Sequence, residues 1–160
     1  MPDDLYDRDA LAWSEHQASL LRRVARGERV NEVDWEHVIE EIEDVGLSEL
    51  HAVESYLELI FVHILKIRTW PDSDAVNHWR AEFVSFQSNA LRRFAPSMQQ
   101  RLDDASAYRS AVRQVTLLNG GDRQDWWPAE PPFTIEELLN EDCVALEQRL
   151  SAAPPASAAD

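Results

Sequence analysis

Residues Leu59 to Ile67 read LIFVHILKI, apolar on nearly every side of a helix. A helix lying on a surface needs only one apolar stripe, so an element of this kind has to be surrounded by others. It falls well short of the roughly 20 apolar residues that cross a membrane, and His63 and Lys66 interrupt it. The stretch predicts a central core helix, opening at a Ser48 cap and stopping near Thr69, because the residue before Pro71 avoids the helical region.

Apolar residues recur at helical spacing along most of the remaining chain, and no alternating run bounded by turn residues suggests a strand. The first helix is expected from an Asp7 or Asp9 cap to about Arg26, with Leu11, Trp13, Ala18, Leu20, Leu21 and Val24 inward and Gly27 as its stop. Asp34 caps the second, whose inward face is expected to be Trp35, Val38, Ile39, Ile42 and Val45; Gly46 ends or bends it. After the Asp72-Ser73-Asp74 turn, a fourth carries Val76, Trp79, Phe83, Phe86, Ala90, Leu91 and Phe94 inward. Ser97 and Gln100 have capping-box spacing for a fifth, ending near Leu118 at Asn119-Gly120-Gly121-Asp122.

Three prolines between Arg123 and Phe133 forbid a continuous helix, so an extended strap is expected there, with Trp126 and Trp127 either plugging a groove or forming a candidate partner surface. Thr134 with Glu137 repeats the capping-box spacing and opens a last helix through Ile135, Leu138, Leu139, Cys143, Leu146 and Leu150. The expected fold is an all-helical, up-down bundle of about six to seven helices in one domain, residues 1–150. The low-complexity tail, 151–160, is expected to be disordered.

Hydrophobic residues make up 44% of the 160, enough for one core, while 30 acidic against 15 basic side chains give a formal charge of −15. The charge is uneven: residues 1–60 hold 16 acids and five Arg, 61–121 hold five acids against seven Arg and Lys66, and 122–160 hold nine acids and two Arg. The simplest account packs the basic middle beside the acidic flanks. So acidic a chain repels phosphate backbones and anionic lipid, which argues against nucleic acid or a membrane as partner and for another protein. An acidic start without an apolar run predicts no secretory signal, and a lone Cys143 fits a reducing cytoplasm.

His63 and Lys66 stand three apart on one helical side, and Lys66 is the only lysine. A buried ammonium needs a partner, and Glu36, Glu40, Glu41, Glu43 and Asp44 of the second helix are the candidates, brought alongside by a turn at Gly46. The plainer reading of this polar cluster is an ion pair with a satisfied histidine. The functional alternative is a metal or acid/base site using Glu40, Glu43 and His63, since helical bundles host carboxylate–histidine sites. The Glu-x-x-His motif of di-iron bundles is absent from the chain. So are the serine-hydrolase elbow, the zinc-protease motif, the P-loop and the dinucleotide fingerprint, and no cofactor is called for. Cys143 has no Cys/His signature around it and reads as a core thiol.

The motifs together resemble the bacterial family catalogued as domain of unknown function number 29. The resemblance rests on Leu5-Tyr6-Asp7 with Asp9, Trp13 and Gln17; Asp34-Trp35-Glu36; Glu40-Glu41-Ile42-Glu43-Asp44 followed by Gly46; and His63-Ile64-Leu65-Lys66. It continues through Trp79, Pro96-Ser97, Tyr108 and the run Pro132 to Leu139, covering about Leu5 to Asp142. It implies a small all-helical bundle of bacterial origin and supplies no reaction or substrate; the segment after Asp142 lies outside it. With no catalytic signature, the leading expectation is a non-enzymatic interaction or regulatory module. A metal-dependent enzyme built on the carboxylate/histidine cluster is the alternative.

Overall fold

Helical periodicity becomes helix throughout. The structure, a computed structural model, describes residues 3–152, and among them are seven α-helices and no strand. These are α1 (Asp3–Arg8), α2 (Ala10–Ala25), α3 (Trp35–Thr69), α4 (Val76–Arg93), α5 (Asp104–Leu118), α6 (Ile135–Asn140) and α7 (Cys143–Ala152), with a 3₁₀ turn at Pro96–Met98. Ser151 and Ala152 still belong to α7; the remainder of the tail, 153–160, lies outside the described residues. By its internal contacts the chain divides into two units, one ending at Ser48 and one beginning at Glu49.

In the first unit, the Asp9 carboxylate accepts the Ala12 amide at 3.0 Å and caps α2, which ends before Gly27 at φ +84°. Trp13, Gln17 and Leu20 are its buried positions, whereas Leu11, expected inward, is 70% exposed. The principal correction is at Gly46. The expected second and third helices are one 35-residue helix, α3, and Ser48 caps nothing. A glycine inside a helix costs only about 1 kcal/mol, and good helix formers on both sides outweigh it.

In the second unit, Leu50, Val53, Leu57, Ile60, Ile64 and Ile67 of α3 are buried with Phe83 of α4, Tyr108 of α5 and Leu138 and Leu146 of α6 and α7, as an all-round apolar helix requires. Trp70-Pro71 ends α3 where expected. Ser97 is not a cap: the α5 N-cap is Asp103, whose carboxylate accepts the Ser106 amide at 2.8 Å. Both bonds of the Thr134/Glu137 capping box form. The helix they open stops after Asn140 because the Gln87 side chain donates to the terminal carbonyls of Leu138 and Glu141, at 2.9 and 2.8 Å, while Asp142 caps α7 through the Val144 amide at 2.9 Å.

The strap between α5 and α6 is anchored by Trp127, which is 1% exposed, and by the Tyr108 hydroxyl donating to the Pro128 carbonyl at 2.7 Å. Burial pushes the Tyr108 phenol up to about 12, so it remains a donor at physiological pH. Truncating Trp127→Ala is expected to cost about 3–5 kcal/mol in urea unfolding, against about 1 kcal/mol for Thr134→Ala at the capping box.

Candidate functional site

The first unit is organised around Asp34. Its carboxylate accepts the Trp13 indole N–H at 3.1 Å and pairs with His37 Nδ1 at 2.8 Å, while its own amide donates to Gln17 Oε1 at 2.9 Å. The His37 ring stacks on Tyr6, centroids 4.0 Å apart, and the Tyr6 hydroxyl donates to Glu41 Oε1 at 2.7 Å. Asp34 just before α3 and His37 and Glu41 in its first two turns thus share a single side, where residues of α1 and α2 meet them. Burial acts to raise the Asp34 carboxyl, but the bonds from His37 and Trp13 outweigh it and hold it below 3.8. The Asp34 bond raises His37 above its usual 6.5, and the Glu41 carboxylate pushes Tyr6 up to about 12. With the carboxylate shared among donors and one ring face of His37 covered, the constellation acts as a polar clamp joining α1, α2 and α3.

The opposite side of the same helix is bare. Trp35 is 51% exposed, Ile39 53%, Ile42 67% and Val45 68%, and every residue from Ile39 to Ser48 is exposed. This corrects the expected inward face, of which Val38 alone is buried. At about 100° per residue, Trp35, Ile39, Ile42 and Gly46 fall within about 60° of one another, forming an apolar stripe. Glu36 and Glu43, both exposed, flank it on one edge, the exposed Glu40 and Asp44 lie further round the helix, and Val30 to Ser48 holds seven acids and no Lys or Arg. Like charges at Glu36/Glu40 and Glu40/Asp44, four apart, weaken this stretch by about 0.2–0.5 kcal/mol each.

The hairpin expected to set these acids beside Lys66 does not form, because the helix continues through Gly46. His63 is 5% exposed; its Nδ1 faces the Leu59 carbonyl and its Nε2 faces Glu82, each at 2.8 Å. Glu82 also meets His78 Nε2 at 3.3 Å and is lowered below the ordinary carboxylate value, chiefly by the His63 bond. Lys66 lies over the Trp79 ring, 4.5 Å from its centroid. Glu82 is the partner that sequence reasoning missed; its one signal was the four-residue spacing from His78 on α4. Among the described residues no group of three His, Cys, Asp or Glu is placed to hold a metal ion.

Of the two strap tryptophans, Trp127 is core and no partner surface, while Trp126 is half-buried beneath the Arg68 guanidinium. Cys143 is 4% exposed, donates to Glu147, and is pushed well above the usual thiol value by burial, which leaves it unreactive.

A family model described as domain of unknown function DUF29 matches residues 5–144. Among solved structures, the chain is similar to an alpha-helical protein of unknown function from Rhodospirillum rubrum: 28% identity, TM-score 0.68, covering 93% of this chain and 98% of the other. No match is found among curated proteins.

The clamp makes a pH-dependent contribution to the first unit. Asp34, depressed in the folded state, stabilises it above the carboxylate's unfolded value and loses that contribution as pH falls through the folded one. His37, raised, contributes fully below its unfolded value of about 6.5 and loses it as pH rises through the folded one. The clamp is thus complete between about pH 4 and 6.5. In proton NMR the His37 ring is expected to titrate above 6.5 in the native chain and to return toward that value in Asp34→Asn; an unchanged midpoint contradicts the pairing.

Proposed function

The chain belongs to the DUF29 family, whose description names no activity, and we propose that it is a protein-interaction module that binds a basic amphipathic helix along Trp35, Ile39, Ile42 and Gly46. The observation that carries this reading is the stretch Ile39–Ser48, a helix exposed on every side yet carrying Ile39, Ile42 and Val45. Scattered exposed aliphatics are ordinary, but a contiguous stripe on a solvent-exposed, acid-rich stretch of helix is the pattern of a docking face. Covering side chains that are half to two-thirds exposed is worth about 1–2 kcal/mol each, on a scale of 1.5–3 for complete burial.

Charge selects the occupant. Glu36 and Glu43 run along one edge of the stripe with Glu40 beside them, and Lys or Arg on a partner relieves the repulsion among these acids while fixing its orientation. A second copy laid symmetrically on the same face sets acids against acids, which disfavours self-association. Gly46 fits the same reading: an added Cβ meets nothing within 4 Å, so no packing inside the chain calls for glycine, whereas a partner helix approaching closely does. A cytoplasmic setting is part of the proposal, in keeping with the free thiol of Cys143.

The probe is a fluorescent designed Leu/Lys amphipathic peptide of about 18 residues, read by anisotropy against its Leu/Glu counterpart. The Leu/Lys peptide is expected to bind, more weakly at high salt, and roughly tenfold more weakly to Ile42→Ser. Gly46→Ala is expected to stabilise the free protein by about 0.5–1 kcal/mol while weakening the peptide. Equal binding to wild type and Ile42→Ser removes the proposal, as does sedimentation as a dimer that Ile42→Ser converts to monomer.

A further inference from the structure

Lys66, the one lysine of the chain, is left over from that reading. It lines a cleft of about 620 Å³ together with Trp70, Trp79, Leu118 and the Asp72-Ser73 turn. Both the volume and the largely apolar walls with a few polar groups are those of small-molecule sites. We propose that this cleft binds a small molecule carrying a single carboxylate, or a similar anionic group, on a flat apolar body.

The walls account for the body. The Trp70 and Trp79 rings lie 6.3 Å apart, tilted at 57°, and line the cleft with aromatic surface against which a flat ligand packs. Leu118 lies at the end of α5, 63% exposed, an apolar side chain with little to cover it in the free protein.

Lys66 accounts for the anion. Its ammonium is held over the Trp79 ring at 4.5 Å, but a ring occupies one side of a group with three donors. Among the described residues it forms no ion pair, and Glu82, which feels its charge, is already engaged by His63 and His78. The remaining donors are free for an acceptor in the cleft. Asp72 at the rim disfavours a second negative charge on the ligand.

The test follows the Trp70 and Trp79 indole N–H signals of the full chain by NMR while 2-naphthoate or neutral 2-naphthamide is added. Naphthoate is expected to give saturable shifts of both, with an affinity roughly tenfold above that of the amide, the size of one charge-assisted hydrogen bond. Lys66→Met, which keeps the apolar stem, is expected to bring naphthoate down to the level of the amide. Leu118→Glu, at an exposed position on which folding does not depend, is expected to weaken naphthoate without lowering the melting temperature. Absence of saturable shifts up to about 10 mM overturns the proposal. So do equal affinities for acid and amide that Lys66→Met leaves unchanged. If Lys66→Met fails to fold, Leu118→Glu decides alone, and an unaltered naphthoate affinity overturns it.

Discussion

The continuity of α3 through Gly46 is the constraint on which the other arrangements depend. A helix that runs on satisfies its own backbone groups turn by turn and cannot fold back, so the acids before Gly46 are denied the histidine and lysine that follow it. Two consequences flow from this. The acids from Glu36 to Asp44 stay on the surface beside uncovered aliphatics, and His63 and Lys66 take their partners from α4, in Glu82 and Trp79. A stop at Gly46 would have produced a hairpin and a different set of charge pairs.

Within the first unit, Asp34 has a comparable role at smaller scale. One carboxylate receives an indole, an imidazole and a backbone amide at the start of α3, and these three bonds tie α2 to α3. A six-residue helix such as α1 is far below the length at which helix forms alone, so its order depends on contacts such as those of Tyr6 with His37 and Glu41. Five of the residues on which the family resemblance rests, Tyr6, Trp13, Gln17, Asp34 and Glu41, meet here. The clamp covers one side of the start of α3 and leaves Trp35, Ile39 and Ile42 exposed.

Much of the fold was legible because it is set by near neighbours. Asp9, the Thr134/Glu137 pair and Trp70-Pro71 act on backbone groups within four residues, and each does in the structure what its position predicts. Two of the errors come from contacts distant in sequence. Asn140 ends a helix because Gln87, distant in sequence, reaches its last carbonyls, and Asp103 rather than Ser97 caps α5 beside Glu54, which accepts the Asp103 amide. Of the candidate site, the unusual status of Lys66 and the acid block was visible; their partners were not, because nothing local to Lys66 points to Trp79.

The amino-acid sequence by itself determined that this chain is helical, where most helices begin and end, and that Leu59 to Ile67 is a core element, since periodicity and capping are properties of residues a turn apart. Only the tertiary structure decided which apolar faces are covered. Trp35, Ile39 and Ile42 carry the same periodic signature as Val53, Leu57 and Ile60, yet the first set faces water and the second is buried. Periodicity states that a face is apolar; whether another element lies against it depends on how the chain returns in space.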